Sequence, residues 1–251
     1  MDTFFKIHQD LPRESPGGRE YTIRAFHKLP PLHQPQILDI GCGPGAQTLV
    51  LAELSDGHIT AIDLHPPFLE HLQTAAEAAG FQDRITCLCQ SMLELNFPKA
   101  SIDLIWAEGS IYIIGVSQGL TQWHPFLKPG GYLVFSDLVW FSPEVDPELR
   151  GYWQQGYPDM QLLDHRLQSM PASGYALVDH FILPEAAWWN YYTPLEARIT
   201  HLLNQPDRTQ EEIAVLRGEL QEIETYRRFK EDYGYAFFVL QKLPRGSLER
   251  H

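Results

Sequence analysis

Leu38-Asp39-Ile40-Gly41-Cys42-Gly43-Pro44-Gly45 is the stretch that decides how this chain folds. It continues an apolar run from Ile37 and breaks into three closely spaced glycines. A short apolar run that ends in glycine reads as a buried strand. Residues 46–53 follow as a helix, with Leu49, Val50 and the neighbouring Leu54 spaced for one face. The glycines therefore join a strand to a helix, where they permit a tight turn and a close backbone approach to a ligand.

The alternation continues beyond this loop. Residues 59–63 read as a strand and 66–79 as a helix, with proline at its start, Leu69, Leu72 and Ala76 on one face, and Gly80 beyond its end. Residues 84–89 and 102–107 read as strands, 119–127 as a helix that stops at Lys128-Pro129-Gly130-Gly131, and 132–136 as a fifth strand. Such a series predicts βαβ units in a doubly wound, Rossmann-like α/β fold with a mostly parallel sheet. Further on, 147–156, 162–170, 194–203 and 208–229 read as helices, and 175–183 and 235–241 as strands. Residues 1–36 carry Pro12, Pro16, Gly17, Gly18, Pro30, Pro31 and Pro35 and read as an N-terminal cap with a helix over 21–29. The main domain is expected over 37–244, with cover elements at about 141–174 and 185–232. Residues 245–251 read as a protease-site and cloning scar.

Composition narrows the function classes. Of 251 residues, 44% are hydrophobic, enough for a sizeable core, and 19 basic against 32 acidic residues give a net charge of −13. That balance argues against wrapping nucleic acid, which needs a basic footprint, and suits a neutral or cationic small molecule. The three cysteines, Cys42, Cys87 and Cys89, are too few for a disulfide scaffold, and no spacing reads as a metal site. The first residues lack a signal-peptide design and no run of about 18 apolar residues occurs, so a cytoplasmic protein with no membrane partner is expected.

In an open parallel sheet, ligands bind outside the carboxyl ends of the strands where strand order reverses. Asp39, the Gly41–Gly45 loop, Asp63, Leu64, Ser91, Met92, Glu108, Tyr112 and Asp137 fall there. Asp63 ends the second strand, where a carboxylate can accept both hydroxyls of an adenosine ribose. Gly41, Gly43 and Ala46 also satisfy the dinucleotide pattern, which keeps a nicotinamide-dependent oxidoreductase as an alternative. Asp39, two residues before the first glycine, is unhelpful to a pyrophosphate but suits a sulfonium and an ammonium.

Leu38-Asp39-Ile40-Gly41-Cys42-Gly43-Pro44-Gly45, Ala61-Ile62-Asp63-Leu64 and Leu127-Lys128-Pro129-Gly130-Gly131-Tyr132-Leu133 together resemble, in order, three motifs of class I S-adenosylmethionine-dependent methyltransferases. Trp106-Ala107-Glu108-Gly109-Ser110 through Gly115 and Tyr233-Gly234-Tyr235-Ala236-Phe237-Phe238 look like a bacterial subgroup near the ubiquinone/menaquinone-type enzymes. The resemblance implies a seven-stranded sheet closed by a reversed pair with its last strand antiparallel, for which 175–183 and 235–241 are the candidates, and a helical insertion between them. It implies S-adenosylmethionine as cofactor and S-adenosylhomocysteine as product. Asp39 and the Gly41, Gly43 and Gly45 backbone would face the methionine part, Asp63 the ribose, and Leu64, Ser91 and Met92 the adenine. Where many relatives carry an acid to bind the adenine amino group, this chain has Ser91. Glu108 would lie beside the methionine end, and Gly17 with Tyr21 would belong to a lid.

Methyl transfer is an in-line displacement, and an oxygen or nitrogen nucleophile also needs a base. Glu108 and Tyr112 are the first candidates, followed by Asp137. Aromatics outside the core strands, Trp140, Trp188 and Tyr192 among them, suit an aromatic or cationic acceptor, and Tyr112 joins them as a substrate contact. The reaction expected is transfer to an O, N or C nucleophile of a small molecule, with an RNA or protein acceptor as a further alternative. Ile213, Leu216, Leu220 and Ile223 form an apolar stripe that either packs on its own domain or makes a homodimer contact.

Overall fold

The computed structural model describes residues 2–8 and 11–244; the expected tail, 245–251, lies outside the described residues. In chain order the elements are α1 (Asp2–His8), α2 (Arg19–Phe26), β1 (Gln36–Ile40), α3 (Ala46–Leu54), β2 (His58–Asp63), α4 (Pro66–Ala79), β3 (Ile85–Cys89), β4 (Ile102–Ala107), α5 (Val116–Trp123) and β5 (Leu127–Trp140). Then follow α6 (Pro147–Gly156), β6 (Gln161–Leu162), α7 (Leu163–Ser169), β7 (Tyr175–Ile182), α8 (Glu185–Leu203), α9 (Gln210–Phe229) and β8 (Tyr233–Lys242).

The strand order is β3-β2-β1-β4-β5-β8-β7, with the short β6 beside the end of β5. The chain moves outward from β1 to β3, then returns to β4 on the other side, so strand order reverses between β1 and β4. Among the described residues only β8 runs against the other strands: it is antiparallel to both β5 and β7. The expected antiparallel last strand is therefore β8; the other strand of the expected pair, β7, is not reversed and points the same way as β5.

Alternation along the strands builds two cores, one on each face of the sheet. Leu38, Ile40, Ile105, Leu133, Phe135 and Phe238 pack with Leu120 and Trp123 of α5. Ile37, Leu104, Trp106, Val134 and Phe237 pack on the other face with Leu51 of α3 and Leu72 of α4. Helix α4 starts on Pro66, which lacks the N–H that a first helical turn leaves unused, and stops at Gly80 in the left-handed conformation. Thr209 and Glu212 form a reciprocal capping box at the start of α9.

Four local readings are corrected. The helix expected over 119–127 is Val116–Trp123, and the strand expected over 132–136 runs from Leu127 to Trp140. Lys128-Pro129-Gly130-Gly131 is a bulge rather than a turn: Leu127 pairs with Ile102 but Tyr132 already pairs with Leu104, and Gly130 carries the positive φ that this needs. Helix α8 begins nine residues before Pro194. Burying Trp188, Tyr191 and Tyr192 on its inner face outweighs the roughly 3 kcal/mol that an interior proline costs. The stripe on α9 packs on its own domain, with Leu216 and Ile223 buried and Ile213 and Leu220 half-buried. Among the described residues no helix is long and apolar enough to cross a membrane.

Asp137, expected just past a strand, lies inside β5 opposite Ala236 and is fully buried. Its Oδ2 accepts from Arg166 Nη2 at 3.0 Å and its Oδ1 from the Tyr157 hydroxyl at 2.9 Å. Burial pushes its carboxyl up to about 6 against the opposing pull of Arg166. Removing one member of a buried pair strands the other's charge, at a cost of about 3–5 kcal/mol. Asp137→Ala is therefore expected to lower the melting temperature by about 10 °C in a scanning calorimeter, given 2–4 °C per kcal/mol at this size. Asp137→Leu combined with Arg166→Met should recover much of that loss.

Candidate active site

The carboxyl ends of β1, β2 and β4 open into a cavity of about 320 Å3. Its floor is Gly41, Cys42, Gly43 and Pro44, and its sides include Asp63, Leu64, Ser91, Met92, Glu108 and Tyr112. The loop is folded back over β2: Gly41 and Cys42 both donate to the Ile62 carbonyl, and Gly43 donates to Asp63 Oδ2 at 2.9 Å. Asp63 Oδ1 accepts from the His65 backbone, so its carboxylate is held from two sides at the rim. Glycine is required at Gly41, where φ is +70° and a Cβ would lie 2.5 Å from that of Ser110. Ser110 itself donates to the Ile40 carbonyl at 2.6 Å.

Two of the residues expected at the cofactor support the cavity from below. Asp39 is buried; its Oδ2 accepts from Thr48 at 2.6 Å and its Oδ1 from Gln47 at 3.4 Å. Burial pushes it up to about 7, and the two donors partly offset this. Gln47, not Asp39, reaches the cavity wall. Gly45 caps α3 and lies against Leu72. The expected lid is also displaced. Gly17 is pinned to α8, its N–H donating to the Ala187 carbonyl and its own carbonyl accepting from Asn190, and Tyr21 packs among the cap and core residues outside the cavity. The cavity is covered instead by Arg13, Glu14, Ser15 and by Phe4 and Phe5 of α1.

Glu108, at the end of β4, holds this cover in place. Its Oε1 accepts from Thr22 at 2.6 Å and from the Trp106 indole at 3.0 Å, and Oε2 faces Arg13 at 3.4 Å. Burial raises its pKa, and Arg13, Thr22 and Trp106 pull it back. Both oxygens are thus engaged by the protein. On α1, the Phe5 ring stacks on His65 at 3.8 Å, and Arg198 of α8 grips the Lys6 and Ile7 carbonyls. His8 Nδ1 meets Glu14 Oε2 at 2.6 Å, and its Nε2 lies 3.7 Å from Glu219.

A second cavity, of about 490 Å3, adjoins the first, sharing Phe4, Glu14, Ser15, Gly109 and Tyr112 with it. Its far wall is aromatic, with Tyr152, Trp153, Tyr157, Trp188, Tyr191 and Tyr235, and α9 adds Glu219 and Glu222. Tyr112 is 41% exposed because it faces both spaces. Burial and the charges of Glu222, Glu219 and Glu14 push its phenol up to about 12. Trp188 lines the second cavity, but Trp140 and Tyr192 do not. Trp140 ends β5 with its indole donating to the Met160 carbonyl, and Tyr192 sits behind the wall, donating to Glu222 Oε1 at 2.9 Å. The contributions of His8, Arg13, Glu14, Glu219 and Glu222 were not read from the sequence.

Residues 37–131 match the methyltransferase domain family. The chain is 24% identical to a sterol 24-C-methyltransferase of Gibberella zeae over 187 residues, covering 68% of this chain and 48% of that one. It is 30% identical to the 27-O-demethylrifamycin SV methyltransferase of Amycolatopsis mediterranei over 124 residues, covering 47% of this chain and 44% of that one. The chain thus spans about half the length of these curated relatives. Its fold is that of a S-adenosylmethionine-dependent methyltransferase from Geobacter sulfurreducens solved with S-adenosyl-L-homocysteine: the TM-score is 0.84 at 20% identity, over 96% of this chain and 98% of that one.

The His8 bridge has a definite pH signature. Burial alone would lower the imidazole pKa, but the hydrogen bond to Glu14 and the nearby carboxylates of Glu14 and Glu219 outweigh it and raise it to about 9. A raised pKa contributes stability in full below the unfolded value of about 6.5, and that contribution is lost as pH rises through 9. It amounts to about 3 kcal/mol at most. The melting temperature of the native chain should therefore fall more steeply between pH 7 and 9.5 than that of His8→Ala. Parallel curves for the two would show that His8 does not make this bridge in solution.

Proposed function

We propose that this chain is a S-adenosylmethionine-dependent methyltransferase whose cofactor lies in the cavity over the Gly41–Pro44 loop and whose small-molecule acceptor lies in the adjoining aromatic cavity. The observation that carries the reading is the junction: two cavities of ligand size meet at Glu14, Gly109 and Tyr112, at the switch point of the sheet. The residues suit the cofactor. Gly43 leaves open the space that a Cβ would fill above the loop, with Glu14 the nearest side chain, and Asp63 presents an anchored carboxylate at the rim. Glu108 and Glu14 add acidic character where a sulfonium and an ammonium would lie.

When bound, S-adenosylmethionine supplies an electrophilic methyl group and leaves as S-adenosylhomocysteine. Asp63 holds the ribose hydroxyls, while Leu64, Ser91 and Met92 flank the adenine. Gln47 and the loop backbone face the methionine part, with Asp39 orienting Gln47 from below. Glu108 is a positioning residue: through Arg13 and Thr22 it keeps Arg13, Glu14 and Ser15 closed over the cofactor. Tyr112, Trp188 and the other rings align the acceptor and exclude water. Fixed alignment of this kind is worth about 7–11 kcal/mol in well-oriented model reactions. The acceptor is aromatic or cationic, and its nucleophile is an oxygen, nitrogen or carbon. A cytoplasmic location and kinship with the ubiquinone/menaquinone-type subgroup belong to the same proposal. The lining of both cavities is rich in carboxylates, which disfavours the pyrophosphate of a nicotinamide cofactor and the backbone of an RNA acceptor.

S-adenosylhomocysteine at about 100 times its dissociation constant should add about 2.7 kcal/mol of stability, a rise of about 5–10 °C in melting temperature. No rise at far higher concentration would overturn the assignment. Asp63→Ala should weaken binding of S-adenosylhomocysteine at least about tenfold by isothermal titration, the worth of roughly one good hydrogen bond to a charged group. Unchanged affinity would remove Asp63 from the ribose.

A further inference from the structure

The second cavity is unusual in its charge. Among the described residues its lining carries Glu14, Glu219 and Glu222 but no lysine, arginine or histidine. Glu219 and Glu222 are three residues apart on α9 and so project from the same face of that helix. Among the described residues the cation set against this group is His8, which reaches Glu14 and Glu219 from behind the wall, so the three carboxyl groups outnumber it. Glu14 Oε1, at the junction of the two cavities, is buried without a hydrogen-bond partner. Uncompensated carboxylates in an aromatic enclosure are costly, and a cation relieves that cost. The rings of Tyr152, Trp153, Trp188 and Tyr191 line the same cavity and supply the aromatic half of an ammonium site, since ring quadrupoles attract a cation. A phenol or an acid, by contrast, would have to develop negative charge beside three glutamates.

Resting on the reading of this cavity as the acceptor's, we propose that the acceptor is an amine with an apolar body that enters as its ammonium ion between the aromatic wall and Glu219 and Glu222, and that Glu222 accepts the proton whose loss uncovers the nitrogen lone pair. The step balances. The ammonium passes one proton to the Glu222 carboxylate; the neutral nitrogen forms a bond to the methyl carbon; the carbon–sulfur bond breaks with its electrons going to sulfur; and Glu222 later gives its proton to solvent. Tyr192 fixes the Glu222 carboxylate through the hydrogen bond to Oε1. Burial first, and then the charge of Glu219, push Glu222 up to about 7, which matches its proton affinity to a neutral medium.

The test uses three ligands of one shape: 2-phenylethylamine, trimethyl(2-phenylethyl)ammonium and the neutral 2-phenylethanol. Each is titrated into the full chain saturated with S-adenosylhomocysteine, with tryptophan fluorescence as readout. Both cations should bind at least tenfold more tightly than the alcohol. Glu219→Gln and Glu222→Gln should each cut that preference at least threefold while leaving S-adenosylhomocysteine affinity, and hence the fold, unchanged. With S-adenosylmethionine supplied, 2-phenylethylamine should yield its N-methyl product by mass spectrometry, and Glu222→Gln should lower kcat far more than it raises KM. Equal binding of alcohol and cations, a preference that survives both substitutions, or binding of none of the three overturns the amine assignment. If S-adenosylhomocysteine still binds in those cases, the methyltransferase reading stands without it; if that ligand does not bind either, both fall.

Discussion

A single buried carboxylate holds the parts of this site together. Glu108 directly follows the central strand β4 and receives the hydroxyl of Thr22 in α2, the indole of Trp106 in that strand and the guanidinium of Arg13 in the covering loop. A charge sealed from water has no alternative partners, so its three donors are fixed by the cost of leaving it alone. The N-terminal cap is thereby seated on the sheet where strand order reverses. From there the arrangement spreads outward: Glu14 is brought over the glycine loop, His8 links it to Glu219 on α9, and Arg198 on α8 holds the end of α1. The covers of the two cavities therefore form one connected structure, and the cavities meet beneath it.

Much of the central sheet is legible in the sequence because its rules are local. Helix α4 announces both its ends, by Pro66 and Gly80, and the glycine loop announces the turn after β1. Legibility fails where a local rule is overruled from a distance. Asp137 reads as a strand terminator, yet the strand runs on because Arg166, far along the chain, neutralises it. Pro194 reads as a helix start, yet α8 passes through it because three large aromatics gain by burial on the same helix. Lys128-Pro129-Gly130-Gly131 reads as a turn, yet β4 continues to pair across it.

The same division holds at the site. Asp63, Leu64, Ser91, Met92, Glu108 and Tyr112 are found at the cavity because a parallel sheet presents the ends of its strands by rule. Glu14, Glu219 and Glu222 obey no such rule. They meet only because α9 returns across the N-terminal segment, and nothing in residues 1–36 foretells that return. The aromatic residues show the intermediate case: their abundance points to a wall, but which ring faces the cavity depends on helix phase. Trp188 and Tyr191 face it, while Tyr192, the next residue, turns to brace Glu222 from behind.

The reversed strand bears on how the chain assembles as it is made. β8 is inserted between β5 and β7, both of which precede it in the sequence. Until it arrives β7 has no strand to pair with, and the long edge of β5 presents its open backbone to solvent. A chain emerging from the ribosome can thus nucleate β1 to β5 early, but must hold an unfinished sheet through the whole passage of α8 and α9. The central half of the sheet is quick to form from near neighbours, and its closing depends on contacts between residues about a hundred positions apart, the slow kind.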